Sequence, residues 1–185
     1  MKLILASNSP RRREILQREG IDFCVIPSSY EEEKTLKLGK KTAEYFAKRK
    51  AQDVYDSLED KCDKVVLGAD TIVYLDGEIL EKPKDYLDAK NMLKRLSSKR
   101  HLVITGYAFI GENLNICDSE ISEVLFNDLS DEDIDKYIAE MKPFDKAGSY
   151  GIQDGYNLVK TYRGSFDNIV GLPIEKILEV LRKIN

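Results

Sequence analysis

The first sixteen residues constrain this chain more than any other segment. Leu3-Ile4-Leu5-Ala6 is a short apolar run that stops at a polar turn, Ser7-Asn8-Ser9. Pro10, Arg11, Arg12 and Arg13 follow, and the chain then becomes amphipathic through Ile15 and Leu16. Proline suits the first helical position, where its missing N–H costs nothing, and Ser9 before it has the chemistry of an N-cap. The segment therefore reads as strand, tight turn and helix N-terminus. Such a terminus offers free N–H groups and a positive dipole end to an anion. Arg11 and Arg12 add forked donors suited to phosphate. The competing reading of an arginine run is a solvated basic face. Here the arginines stand at the end of a strand beside a hydroxyl-rich turn, and that favours the phosphate site. Arg12 is expected to face solvent in the cleft.

The chain has 185 residues, enough for one domain with a full core, and residues 1–185 are read as a single catalytic domain. Its formal net charge of −4 argues against bulk electrostatic binding to nucleic acid, whose binders usually carry a basic face. No apolar run approaches the roughly 20 residues of a membrane span. The arginines follow the apolar run instead of preceding it, so no secretory leader is expected. Cys24, Cys62 and Cys117 are odd in number and far apart, without a CxxC pair. Neither a zinc site nor a disulfide framework is expected, and a reducing cytoplasm fits.

Along the chain, strands and helices alternate. Strands are expected at Leu3 to Ala6, Asp22 to Ile26, His101 to Ile110, Asn115 to Phe126 and Asn157 to Tyr162. Val65-Val66-Leu67 is a buried-type strand that breaks at Gly68-Ala69-Asp70 and resumes from Thr71 to Leu75. Asp76-Gly77 is a hairpin signal. Helices are expected at Pro10 to Glu19 and at Thr42 to Leu58, where Ala43, Phe46, Ala47, Ala51, Val54 and Leu58 recur at helical spacing. Further helices follow Asp85, Ser130 and Pro173, and Ser130 with Asp133 has the form of a capping box. Hairpins mixed with helical crossovers imply an α/β fold on a mixed sheet.

Several polar residues have no evident place in that scaffold. Asp70 interrupts an apolar strand, Lys50 lies beside a buried helix stripe, and Pro83 holds Lys82 extended. Asp145 and Lys146 open a glycine-punctuated loop that ends near Gln153. The outliers are cationic (Arg11, Arg12, Lys50, Lys82, Lys146) and acidic (a Glu within 31–33, Asp70, Asp145). Bases bind phosphates, and acids hold a divalent cation and orient water. That equipment suits displacement at a phosphoanhydride. No GxxxxGK[ST] or GxGxxG is present; Gly39-Lys40-Lys41-Thr42 is a near miss with Lys34 in place of the first glycine. His101, the single histidine, reads as a strand-end residue and not as a catalytic one.

The ordered set of motifs resembles the Maf family of nucleoside triphosphate pyrophosphatases. It comprises Leu5-Ala-Ser-Asn-Ser-Pro-Arg-Arg12, Gly68-Ala-Asp-Thr71, Glu81-Lys-Pro83, His101 with Thr105-Gly106, Asp145-Lys-Ala-Gly148 through Gln153, and Gly164 through Pro173. The resemblance implies hydrolysis of a nucleoside triphosphate to the monophosphate and pyrophosphate, with Mg²⁺ or Mn²⁺ as cofactor. It implies an elongated mixed sheet with flanking helices and two lobes around a cleft, like the inosine triphosphatase fold. By the same resemblance Ser7, Arg11, Arg12 and Gln153 bind substrate. Asp70 is the proton acceptor, Glu32 the loop acid (Glu31 is the alternative within the run), and Lys50 and Lys82 complete the catalytic set. Asp70 and Glu32 would hold the metal. Gly-Ala-Asp-Thr together with Asp-Lys-Ala-Gly and Gln153 resembles the subgroup acting on dTTP and UTP. Alternatives are a modified nucleotide such as 7-methyl-GTP, or a nucleotide-binding regulator of cell division with little catalysis. The expected partners are the nucleotide and at most a second copy of the chain, with neither nucleic acid nor membrane.

Overall fold

The computed structural model describes residues 1–31 and 41–184. Its frame is a seven-stranded sheet ordered β2-β1-β3-β5-β6-β7, with β4 pairing on β3. The strands are β1 Lys2–Leu5, β2 Phe23–Val25, β3 Lys64–Leu75, β4 Glu78–Leu80, β5 Arg100–Gly111, β6 Leu114–Phe126 and β7 Val159–Arg163. β1 runs parallel to both β2 and β3, and every other pair is antiparallel. The helices are α1 Pro10–Arg18, α2 Thr42–Ser57, α3 Tyr86–Leu96, α4 Asp131–Met141, α5 Phe166–Val170 and α6 Ile174–Ile184. The α/β class and the mixed sheet agree with the sequence reading.

Local chemistry accounts for several boundaries. The Asp85 carboxylate accepts the Asp88 N–H and starts α3. Ser130 and Asp133 form the reciprocal capping box of α4. Asp76 and Gly77 both have positive φ and make the tight turn between β3 and β4. Ser9 is different. It holds the cap position of α1, but its side chain makes no capping bond. Its N–H donates instead to Ser7 Oγ at 3.2 Å.

The sequence suggested a break at Gly68-Ala69-Asp70, and there is none: β3 runs unbroken through all three. Glycine is present because a helix lies directly over it. Ala43, Ala47 and Ala51 form a stripe on α2 that faces the sheet. A Cβ on Gly68 would sit 2.2 Å from Ala47 O and 2.8 Å from Ala51 N. One on Gly106 would sit 2.3 Å from Ala43 O. Close approach of backbone to backbone, not a turn, fixes these two residues.

Side-chain alternation along β3 and β5 divides the interior. On the α2 face, Val66, Ala108 and Ile110 pack with Ala47, Ala51 and Val54. The opposite face carries two separate cores. One joins Leu5, Leu16, Leu67, Phe109 and Ile177; the other joins Val73, Val103, Leu93, Phe126 and Tyr137. Between them, Thr71 and Thr105 stand opposite each other in register. Two lobes therefore share three long strands and meet at a polar seam.

Candidate active site

The cleft lies where β3 loses its neighbour. β1 pairs with β3 as far as Leu67, where the Ala6 N–H makes a last bond, and β4 pairs with it again from Val73. Between those limits, among the described residues, β3 has no strand partner on this edge. Asp70 and Thr71 occupy that bare stretch and point to opposite faces, and both line a cleft of about 460 Å³. That volume suits a small-molecule ligand.

Seven of the eight expected site residues line this one cleft: Ser7, Arg11, Arg12, Lys50, Asp70, Lys82 and Gln153. Glu32 lies outside the described residues, and Glu31 is exposed. The turn carrying Ser7 and the N-terminus of α1 form one wall. Lys82, just beyond β4, and the loop from Asp145 to Gln153 form the other. The Gly148 N–H donates to Glu81 O at 3.1 Å and ties these two segments together.

Asp70 is buried on the α2 face, where Lys50 Nζ donates to its Oδ1 at 2.7 Å. The side chains retain only 16% and 10% exposure, Lys50 and Asp70 respectively. A pair this enclosed loses much if one partner is removed, because the other charge is left stranded. Its position depends on the close seating of α2 over Gly68, two residues before Asp70 on the same face.

Arg12 does not face solvent as the sequence suggested. Its Nε donates to Gly171 O at 2.8 Å, Nη1 to Ser7 Oγ at 3.1 Å and Nη2 to Thr71 Oγ1 at 3.2 Å. Thr71 Oγ1 lies 2.9 Å from Thr105 Oγ1, which donates to Asn168 O at 2.9 Å. The guanidinium is thus aimed by residues 59 and 159 positions away in sequence. Arg11 pairs with Asp145 across the cleft at 2.7 Å. Burial works against the Asp145 charge, but the bond and charge of Arg11, with Lys146 nearby, hold its carboxyl below the ordinary carboxylate range.

Sequence reasoning singled out Asp145 and Lys146 as polar outliers without placing them in the site; both line the cleft. It missed Thr71, which reads as an ordinary β-branched strand residue. His101 is buried at the start of β5, with Nε2 2.8 Å from Tyr150 Oη. Burial pushes its pKa down to about 4, so it is a neutral packing residue at ordinary pH.

The family described as "Maf-like protein" matches residues 2–184. The chain belongs to the Maf family. Its curated relatives include proteins named dTTP/UTP pyrophosphatase. The one from Aquifex aeolicus is 44% identical, covering 100% of this chain and 96% of the relative. That from Thermosipho africanus is 50% identical over 98% and 92%. That from Thermococcus kodakarensis is 46% identical over 95% and 93%. Residues of the quoted motifs, among them Ser7, Arg12, Asp70, Lys82 and Gln153, line the cleft at the open edge of β3.

A divalent cation needs hard oxygen donors. Among the described residues no three or more His, Cys, Asp or Glu side chains are grouped to hold a metal. Mg²⁺, however, is commonly held by one or two carboxylates together with substrate phosphates. Asp70, a hard carboxylate in a cleft with a phosphate-type turn, fits that shared mode; Asp145, which also lines the cleft, is paired with Arg11. No helix of the described residues is long and apolar enough to cross a membrane.

Proposed function

We propose that this protein hydrolyses dTTP and UTP to the monophosphate and pyrophosphate. The observation that carries the reading is one buried acid, Asp70, in a cleft lined by Arg11, Arg12, Lys50, Lys82 and Lys146. The names of the relatives supply the substrate class. The N–H groups at the start of α1, Ser7, Arg11 and Arg12 receive the phosphate chain, and Lys82 meets it from the other lobe. Asp70 accepts a proton from a water that attacks the α-phosphorus. The bond from that phosphorus to the bridging oxygen breaks, and pyrophosphate leaves with the electron pair. Lys50 holds the Asp70 carboxylate in place and offsets charge beside it. Mg²⁺ or Mn²⁺, which Asp70 and Glu32 would hold, would supply further charge neutralisation when bound. Cys24, Cys62 and Cys117 are free and exposed, which supports a reducing cytoplasmic setting.

The test is product analysis with UTP and dTTP in the presence of Mg²⁺ or Mn²⁺. The monophosphate and pyrophosphate are expected; a diphosphate and inorganic phosphate would refute the proposed bond. Asp70→Asn keeps the shape and is expected to lower kcat by about 10²-fold or more. A kcat within a few-fold of wild type, with only a lowered melting temperature, would make Asp70 a structural residue.

A further inference from the structure

A helix as short as α5 does not hold its own shape, so its position is set by what it touches. Asn168 makes the central contacts. It is fully buried and stands over β5 and β6 where Val103 and Ser122 oppose each other in register. Its Nδ2 donates to Val103 O at 3.1 Å and to Ser122 Oγ at 2.9 Å. Ser122 Oγ in turn donates to Ser165 O at 3.0 Å, and Ser165 Oγ accepts the Asn168 N–H at 3.2 Å. These bonds tie α5 to the sheet. For packing alone the amide is a poor choice. Its Oδ1 is buried without a hydrogen-bond partner among the described residues, an unfavourable state that an apolar side chain of similar volume would avoid. What the amide provides instead is a fixed place and direction for α5.

Both long-range acceptors of Arg12 lead back to this residue. Gly171, whose carbonyl accepts from Arg12 Nε, ends α5, and its N–H donates to Asp167 O at 2.9 Å. Thr71 Oγ1, which accepts from Arg12 Nη2, is paired with Thr105 Oγ1, and Thr105 donates to the Asn168 carbonyl. A shift of α5 therefore moves one acceptor directly and the other through two hydroxyls. A guanidinium presents its donors in a rigid planar fork, so displaced acceptors turn the whole group. Asn168 itself does not line the cleft, whereas Arg12 does.

We propose that Asn168 is a positioning residue for phosphate binding: it fixes α5 on the sheet and thereby sets the direction in which Arg12 meets the phosphate chain of the substrate. This rests on the proposed hydrolysis of UTP and dTTP. Asn168→Leu keeps the volume and removes every side-chain bond. The KM for UTP is expected to rise about tenfold, the size of one hydrogen bond to a charged group, with kcat within a few-fold of wild type. Ser122→Ala removes one of the two Nδ2 acceptors and leaves the other, so it folds even if Asn168→Leu does not. Its KM is expected to rise about threefold, the size of one neutral hydrogen bond. Two comparisons separate positioning from loss of packing. If Asn168 acts through Arg12, adding Asn168→Leu or Ser122→Ala to Arg12→Ala leaves KM at the value of Arg12→Ala alone, because the effects are not additive. Val180→Ala, in the core beside α6 and away from these bonds, is expected to lower the melting temperature and leave KM unchanged. A wild-type KM in Ser122→Ala or in folded Asn168→Leu overturns the proposal. So does a full additional rise on the Arg12→Ala background, or an equal rise in Val180→Ala. Absence of pyrophosphate release from UTP and dTTP by wild type is the separate failure of the underlying activity, and removes the proposal with it.

Discussion

Gly68→Ala tests how the proposed catalytic pair, Lys50 and Asp70, is positioned, through a residue that does not line the cleft. The added Cβ would stand 2.2 Å from Ala47 O and 2.8 Å from Ala51 N. Both obstacles are helix backbone and neither can rotate away. Ordinary contact needs about 3.4 Å or more between such atoms, so α2 must lift by roughly 1 Å. Overpacking of this kind costs about 1–3 kcal/mol. For a chain of this length that is a fall of roughly 3–10 °C in melting temperature. The same lift carries Lys50 away from Asp70, whose present separation is 2.7 Å. A misplacement of about 1 Å in a catalytic group costs on the order of 10²-fold in rate. Urea unfolding and steady-state kinetics on one preparation therefore read both effects. A folded Gly68→Ala protein with the wild-type midpoint and kcat would refute the claim that this contact seats the pair.

Two more outcomes follow from the same geometry. Arg12→Ala removes bonds to Gly171, Ser7 and Thr71, so it is expected to raise KM and also to lower stability by about 2–4 kcal/mol; Arg12→Lys is expected to recover little, because a single ammonium does not reproduce the fork. A variant with unchanged denaturation midpoint would show that the three bonds are not tethers. His101 has a folded pKa of about 4 against 6.5 unfolded. Below pH 6.5 the unfolded chain binds the proton first. The stability His101 contributes is therefore whole above pH 6.5 and is lost as pH falls toward 4, by an amount on the order of 3 kcal/mol. His101→Gln, which keeps a partner for Tyr150, is expected to flatten the stability profile between pH 6.5 and 4.5. An unaltered slope would assign it to other groups.

What was legible in the sequence was local. The cap of α3 at Asp85, the box at Ser130 and Asp133, and the turn at Asp76-Gly77 each depend on residues a few positions apart. The membership of the cleft was also legible, because Asp70, Lys50 and Lys82 are polar where the pattern is apolar or constrained. What failed was long-range. Gly68 and Asp70 are poor strand formers, so a break was the reasonable local reading; the reason for the glycine is a helix some twenty residues earlier in the chain. Ser165 caps α5, but five residues are too few for a periodic signal. The aim of Arg12 depends on Thr71 and Gly171, which no spacing rule brings together.

The shared strands also decide how the cleft can move. β3, β5 and β6 pass from one lobe to the other without interruption, each with 12 or 13 residues. Ladder hydrogen bonds between β3 and β5 continue across the seam from Val66 to Tyr74. Hinged lobes open by changing the dihedral angles of a few connecting residues, and here three paired strands cross between the two cores beside the short Val170-Gly171 connection. The floor of the site is thus a stiff platform, set before any ligand arrives. In hydrogen exchange the central amides of β3 and β5 are expected to be protected alike with and without nucleotide. Any slowing on binding should fall on the segments that form the walls, the Ser7–Pro10 turn and the Asp145–Asp154 loop.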